Sequence, residues 1–544
     1  MGTWNTKLEG FRFDTGSIAA TGGTKLMLSA QELTSDGYLS NSRLWGKNWT
    51  IKVEQPIGSK TLLTVFASNN DNCYYQSDGS KGITVAQAAK YGKDFGLSDN
   101  PNSALYWGYA RVRKSTAFDY VRLQSDMGSG WGFDNTAYYI WYGNNTLSAD
   151  GVNPDLTIPD SSYTVKNSAG TSILNQMPGY IKINQYSIYG DVLKVTKKID
   201  SSLLRVGLWA ETTDTFRSRY DYNLFDMSNN YKESTAPKNV LYDQHSGWDN
   251  YQPFAEFEWA VTDQIKITPG LKMMWWHQYI NADVLDKAAR VPARIHNDYT
   301  ATLPFLTVNC KIDRNSSVYA QYAEGMLVPD ISYYYSKSPS KTDIVPQRST
   351  NYQVGYVYKS NDLLFDVDLY DIEFSNKLTL DPTYSDPVYY NAGGVVYRGI
   401  EGQVGYVLGS GFSAYANGSL NSARSKETNL TVATAPESTA ALALSYNDKS
   451  WTSSLVYKYV GKQYADAGEL LGIKPYTTLD FNIGRTFSNL GMGVKSLKFN
   501  VGVYNLLNHQ DVITASMKNA TPSSSDLFTW QPPRSMMATM RLEF

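Results

Sequence analysis

The residues that could do chemistry in this sequence form no catalytic pattern. It contains no GxSxG, HExxH, CxxC or P-loop motif, so the usual arrangements for nucleophilic, zinc-peptidase, redox and nucleotide chemistry are missing. The chain has four histidines, which are His245, His277, His296 and His509. Their spacing indicates no metal site, and Cys73 and Cys310 make at most one pair. The sequence therefore predicts no enzyme, no cofactor and no bound metal.

Composition narrows the class of protein further. The net charge of −2 offers no basic surface for phosphates, which argues against nucleic-acid binding. With 42 tyrosines and 13 tryptophans, the chain is rich in residues that favour strands. The sequence contains no run of about 20 apolar residues, so it predicts no membrane-spanning helix. No linker divides the 544 residues, so we expect residues 1–544 to form one large architecture of similar units.

Polar and apolar residues alternate along most of the chain. In Leu363–Tyr370, the side chains of Phe365, Val367 and Leu369 share one face, and those of Asp366 and Asp368 share the other. The same pattern sets Phe499 and Val501 apart from Asn500, and Leu542 apart from Arg541 and Glu543. In a membrane barrel, the apolar set would face lipid and the polar set would face the lumen.

Short and long connections follow each other in strict order. Short turns fall at 56–59, 128–130, 200–202, 262–264, 313–315, 360–362, 409–411 and 447–449, with longer ones at 14–23 and 488–493. Between them lie polar segments at 69–104, 144–179, 219–247, 281–298, 327–348, 379–394 and 509–532, and shorter ones at 34–45, 425–436 and 464–474. This asymmetry is typical of an outer-membrane barrel, whose turns are short on the periplasmic side only.

Two segments within these loops have helical character. Thr84 is a candidate N-cap for a helix that carries Val85, Ala88 and Tyr91. Asn281 to Ala289 is a second candidate helix.

Several motifs resemble those of TonB-dependent outer-membrane receptors. Asn391–Glu401 (NAGGVVYRGIE) is similar to the family's NAG…RGvE stretch, and Ser349–Tyr356 and Val503–Asn508 resemble two further family strands. The chain ends on Phe544, within a strand pattern that outer-membrane barrels commonly place last for the assembly machinery to read. The resemblance covers essentially the whole chain and implies an outer-membrane location.

The resemblance implies an all-β fold, a transmembrane antiparallel barrel that accounts for only part of the family's architecture. Family members have a 22-stranded barrel with a plug in its lumen, and this sequence shows roughly 21 strands, with neither a plug nor a TonB box. Met1-Gly2-Thr3-Trp4 has none of the parts of a signal peptide, so we expect a mature or partial form.

Strand parity places the missing strand at the N-terminus. The strand near Thr3 to Phe13 must run toward the periplasm, and no outward strand precedes it. Residues 3–13 and 533–544 should then form the two edges of the sheet, separated by a gap or joined by a parallel contact.

Receptors of this family hold ligands at the upper barrel and in the loops, through aromatic and charged side chains. The candidates here are Tyr74, Tyr75, Arg217, Arg219, Trp276, His277, Tyr333, Tyr334 and Tyr335. The aromatic residues could instead form the interfacial girdle or pack loops. Arg217 and Arg219 share one strand face and could contact an anionic ferric chelate, or they could pair with residues of a plug.

The leading hypothesis is TonB-energised uptake of a scarce nutrient, of which a ferric siderophore is the commonest in this family. The partners implied are outer-membrane lipid, the barrel assembly machinery, and the TonB complex acting through a plug and TonB box outside this chain. The alternative is a passive porin-like channel. An outer-membrane enzyme or adhesin finds no support in the residues.

Overall fold

The computed structural model is a single large antiparallel β-sheet with short turns at one end and loops at the other. It describes residues 1–78, 82–101, 103–149, 164–166, 172–174, 177–224, 237, 239–285, 292–334, 344–380, 389–391, 393–491 and 493–544. None of the helices in these ranges is both long and apolar enough to cross a bilayer.

In the first half of the described chain, the strands of the large sheet become longer from β1 to β9, and β7 and β8 are short loop strands. They are β1 (Lys7–Asp14), β2 (Lys25–Ser35), β3 (Leu44–Ile57), β4 (Thr61–Tyr75), β5 (Arg111–Gly128), β6 (Trp131–Ala149), β7 (Thr164–Lys166), β8 (Ser172–Leu174), β9 (Pro178–Ile199), β10 (Ser202–Asn223), β11 (Asn239–Ala260) and β12 (Ile265–Val284).

The second half has shorter strands. They are β13 (Ala293–Lys311), β14 (Ser316–Leu327), β15 (Gln347–Lys359), β16 (Leu363–Ser375), β17 (Leu378–Leu380), β18 (Tyr389–Asn391), β19 (Gly394–Gly409), β20 (Phe412–Ser425), β21 (Ser438–Asn447), β22 (Trp451–Val460), β23 (Gln463–Tyr464), β24 (Gly472–Ile473), β25 (Tyr476–Gly491), β26 (Val494–Tyr504), β27 (Val512–Ser516), β28 (Leu527–Trp530) and β29 (Ser535–Glu543).

Twenty-one of these strands form one meander, in which each strand pairs antiparallel with the next strand of the sheet along the chain. The other eight pair as four hairpins within the long connections: β7–β8, β17–β18, β23–β24 and β27–β28. The predicted all-β antiparallel barrel with about 21 strands is thus confirmed.

The predicted helix at Thr84 is present, and the one at Asn281 is wrong. Helix α1 (Val85–Tyr91) begins at a capping box in which Thr84 and Gln87 each bind the other's backbone N–H. Asn281–Val284 instead continues β12, with Asn281 and Ala282 paired to β13, and residues 286–289 lie outside the described residues.

The edges of the sheet meet through the first three residues. Gly2 forms an antiparallel bridge with Met537 of β29 and another with Thr6, just before β1. Met1 N donates to the Ala538 carbonyl at 2.7 Å, and Thr3 N donates to that of Met536 at 2.9 Å. The chain then reverses through Trp4 and Asn5, which both have positive φ.

The seam therefore differs in part from the prediction. The described residues show no ladder between β1 and β29, as expected, but the contact between them is neither a gap nor parallel. Residues 1–3 lie between the two strands and run antiparallel to both, so the strand predicted from Thr3 begins only at Lys7.

Cross-strand pairs identify the two faces of the wall. Arg122 pairs with Asp134 at 2.6 Å, and Arg205 pairs with Glu256 at 2.7 Å, on the face that also carries Asp366 and Asp368. The opposite face carries Val206, Met273 and Leu369 with substantial exposure. Because a charged group facing hydrocarbon costs about 2–4 kcal/mol near the midplane, the first is the lumenal face and the second is the lipid face.

The predicted orientations of the side chains agree with this assignment. Asp368 accepts a hydrogen bond from Tyr319 and Asp366 accepts one from Gln403, both at 3.4 Å within the lumen. Asn500 lies on the lumenal face as well. The lipid face carries the six residues predicted for it: Phe365, Val367, Leu369, Phe499, Val501 and Leu542.

Candidate functional site

The upper lumenal face of β4–β6 and β9–β12 carries a band of aromatic and basic side chains. We call it the basic-aromatic wall; its members are Tyr74, Lys114, Tyr142, Tyr180, Lys182, Tyr186, Arg217, Arg219, Tyr242, Trp248 and Trp276. Strand register places them there, because directly opposed residues share a face.

The two arginines of the wall lie over tyrosine rings. The Arg219 guanidinium carbon is 3.7 Å from the centroid of the Tyr180 ring, and its Nε donates to Asp221 at 3.1 Å. Arg217 lies 5.0 Å from the centroid of the Tyr242 ring. A guanidinium held over an aromatic face stays charged and keeps a fixed direction.

Asp78, just beyond the end of β4, fastens the first long loop to this wall. Its Oδ2 accepts hydrogen bonds from the Tyr180 hydroxyl at 2.8 Å and from Lys182 Nζ at 2.5 Å. Burial alone would raise the pKa of Asp78, but these two donors outweigh it and hold the pKa below its ordinary value.

Aromatic stacking continues the wall on both sides of the arginines. The rings of Tyr142 and Tyr186 stack at 4.7 Å, and Lys114 Nζ lies 5.6 Å from the centroid of the Tyr74 ring. Trp276 stacks on Trp248 at 5.4 Å. The indole nitrogen of Trp276 is buried and has no hydrogen-bond partner among the described residues.

Below the tryptophans, a carboxylate fixes the geometry of the wall. Glu211 accepts hydrogen bonds from the Tyr138 hydroxyl at 2.5 Å and from the Trp248 indole at 3.0 Å. The Trp209 indole donates to the Tyr138 oxygen at 2.9 Å. This network couples β6, β10 and β11.

The structure separates the adjacent pairs among the predicted ligand residues, because neighbours on a strand point to opposite faces. Tyr74 and Trp276 lie in the wall. Tyr75 lies on the other face, against Trp107 and beneath the guanidinium of Arg43, and His277 lies on the lipid side of β12, against Asp298.

The tyrosines predicted in the loop after β14 form a small core. Tyr334 is buried with Ile280 and Leu285, and its hydroxyl lies 2.8 Å from that of Tyr299. Tyr333 packs on Tyr389 with ring centroids 4.5 Å apart. These contacts pack the loop, which is one of the two roles predicted for it. Tyr335 lies outside the described residues.

Across the lumen, β16 and β19 carry three carboxylates that we call the acidic patch: Asp366, Asp368 and Glu401. Glu401 lies directly opposite Asp368 in the register. Asp368 is only 7% exposed, and one oxygen of Asp366 and one of Asp368 are buried without a hydrogen-bond partner among the described residues. The lumen thus has a basic-aromatic side and an acidic side.

Sequence reasoning missed most members of the wall, including Lys114, Tyr180, Lys182 and Tyr186. A signal existed within single strands, since Tyr180, Lys182 and Tyr186 share one parity along β9. Nothing local showed that this face adjoins Arg219, because pairing across strands sets that contact.

Comparison with known proteins agrees with the architecture. The family model described as TonB dependent receptor-like, beta-barrel matches residues 56–506. No curated protein is similar enough in sequence to match.

Solved structures of similar shape include three receptors. The ferric citrate transporter FecA is 16% identical, with a TM-score of 0.78 over 99% of this chain and 76% of that one. The ferric yersiniabactin uptake receptor FyuA from Yersinia pestis is 14% identical, with a TM-score of 0.74 over 100% and 79% of the two chains. BauA, the ferric preacinetobactin receptor from Acinetobacter baumannii, is 15% identical, with a TM-score of 0.71 over 99% and 79%. At these identities the likeness shows the fold alone.

Proposed function

This chain belongs to the TonB-dependent receptor β-barrel family, whose members lie in the outer membrane of Gram-negative bacteria, and we propose that it takes up an anionic ferric chelate, a siderophore complex, with energy from the TonB complex. The observation that carries the proposal is the basic-aromatic wall. Arg217 and Arg219 offer fixed positive charge beside the planes of Tyr242 and Tyr180.

The chemistry of the wall suits such a ligand. Hydrogen bonds from guanidinium groups to anionic oxygens are stronger than neutral ones. The tyrosine and tryptophan rings provide flat apolar contact for the organic part of a chelate. The described wall contains no nucleophile–base arrangement, so the proposed role is binding and transport rather than catalysis.

The remaining partners follow from the same proposal. The acidic patch would receive cationic side chains of a plug. TonB would act through that plug and its TonB box. Phe544, exposed at the end of β29, would be read by the barrel assembly machinery, and the lipid face would contact outer-membrane lipid.

Calorimetric titration of the full chain in detergent micelles tests the proposal, with ferric citrate as the anionic probe and an uncharged ferric chelate beside it. The doubly substituted variant Arg217→Gln/Arg219→Gln should lose about tenfold or more in affinity for the anionic probe, since each charged hydrogen bond contributes about 1.5–3 kcal/mol. Arg314→Gln, which removes the same charge in a turn at the periplasmic end, is the matched control.

Added salt should weaken binding of the anionic probe to the wild type and to the Arg314 variant, and should have less effect on its binding to the double variant. Equal affinity in the double variant would contradict the proposed site. Failure of every chelate to bind would contradict the proposed function and favour a passive channel.

A further inference from the structure

Three of the four histidines of the chain lie together on the outside of the barrel. His245 is on β11, His277 on β12 and His296 on β13, all with lipid-face parity. His277 is two residues above Trp275 on that face of β12, and Trp275 is opposite Tyr251 of β11. Aromatic rings of this kind mark the membrane interface, so the histidines lie just above it, at the level of the headgroups.

His277 and His296 approach each other across the β12–β13 pair. Their ring centroids are 5.6 Å apart and the ring planes are within 24° of parallel. In the register, Asp298 is directly opposite His277, and His296 is diagonal to it, opposite Tyr279. Side chains at opposed and diagonal positions of an antiparallel pair are within reach of one another.

Asp298 holds His277 in one orientation. Its Oδ1 is 2.7 Å from Nδ1 of His277. A carboxylate on one ring nitrogen fixes the orientation of the ring and leaves the other nitrogen free, which is how metal-ligating histidines are usually supported. Nε2 of His277 is thereby directed to a ligand other than Asp298.

We propose that His277 and His296 bind a divalent transition-metal ion on the outer surface of the barrel, with Asp298 as the positioning residue for His277. Two imidazole nitrogens suit Zn²⁺, Cu²⁺ or Ni²⁺ rather than Mg²⁺ or Ca²⁺. The described residues contain no group of three or more protein ligands that could hold a metal ion. Water or another external oxygen therefore completes the coordination, so the site is open to the headgroup layer.

The charges around the pair favour a cation. Asp214 lies 3.5 Å from His245 and accepts a hydrogen bond from Tyr279, and Asp249 faces the same side of β11. Arg294, next to His296 on that face of β13, binds two backbone carbonyls and lies 3.7 Å from Asp283. An ordinary surface His–Asp ion pair would account for the 2.7 Å contact but not for the second imidazole beside it.

The sequence alone could not indicate this site. His277 and His296 are separated by 18 intervening residues and a loop, a spacing outside the short histidine motifs of metal sites. Only the register of β12 with β13 brings them together.

The test uses the untagged full chain in detergent micelles, titrated with Cu²⁺ and followed by electron paramagnetic resonance and calorimetry. We expect one saturable site with two coordinated nitrogens. His277→Asn and His296→Asn should each abolish it, while His509→Asn and His245→Asn should retain it. Asp298→Asn should weaken binding about 10–100-fold without changing the number of nitrogens.

Circular dichroism and gel mobility with and without heating confirm that each variant still forms the barrel. Three results would overturn the site: no saturable binding in the wild type, unchanged binding in the His277 and His296 variants, or small losses shared equally by all four histidine variants. The last would show adventitious surface binding. None of these results bears on the basic-aromatic wall, which lies on the other face.

Discussion

The ring of Tyr138 lies across the lumenal face of Gly190, directly opposite it on the neighbouring strand. A Cβ at Gly190 would be 2.0 Å from Cζ of that ring. Because Gly190 has no side chain, the ring can lie flat over β9 and bring its hydroxyl to Glu211 of β10. The network beneath the two tryptophans of the wall therefore depends on this one glycine.

Gly190→Ala should displace the Tyr138 ring and break its hydrogen bond to Glu211. We expect a loss of about 1–3 kcal/mol in the free energy of unfolding, the usual cost of an extra methyl group in a packed site, measured by urea unfolding in lipid vesicles. Gly405→Ala is the control, since its Cβ would meet its nearest atom at 3.7 Å. Equal stability of the two variants would refute the role assigned to Gly190.

Adjacent residues of β15 test the assignment of the two faces. Val354 faces lipid and is 51% exposed, whereas Gln353 faces the lumen. Val354 is about six residues above its turn, roughly 15 Å for a strand tilted by ~40°, which is near the bilayer midplane. Val354→Arg should therefore cost about 2–4 kcal/mol, and Gln353→Arg about 0.5 kcal/mol or less, by the same unfolding measurement. A larger loss for Gln353→Arg than for Val354→Arg would contradict this assignment of the two faces.

The attachment of the first long loop through Asp78 should depend on pH. The pKa of Asp78 is lowered in the folded protein, so its stabilising effect is complete above the unfolded pKa of about 3.9 and is lost as the pH falls through the lower folded value. Residues 76–110 should therefore become open to an acid-active protease only below about pH 4.

Asp78→Asn should leave that loop more open to the protease already at pH 5 and should remove the step, which is the increase in cleavage below about pH 4. Asp99→Asn, in the same loop, is the control and should keep it. A wild-type step at pH 6 or above, or an unchanged step in Asp78→Asn, would argue against this attachment.

The fold could be predicted because its signals are local. Alternation in Leu363–Tyr370 fixes two faces, and turns such as Gly128–Gly130 combine positive φ with short length. The prediction was poorest at the upper strand ends. Residues 219–247 were expected to form a loop, yet β10 extends to Asn223 and β11 begins at Asn239. Above the membrane both faces are polar, so the alternation that reveals a strand is lost.

The candidate site was predicted only in part, for a different physical reason. Arg217 and Arg219 were recognised as sharing one face, but their tyrosine partners Tyr242 and Tyr180 come from other strands. The sequence-based prediction places both members of Tyr74–Tyr75 and of Trp276–His277 in the site, although a strand sends such neighbours to opposite sides. Assigning parity to each candidate would have separated them from the sequence alone.

The central claim is that a ferric chelate binds against the basic-aromatic wall, and the position of its iron is the most direct test. Crystals of the full chain grown with ferric citrate, measured at the iron absorption edge, would locate the metal by anomalous scattering. The account predicts a peak in the upper lumen beside Arg217 and Arg219. A peak beside the acidic patch, or only on the outer face of the barrel, would contradict it.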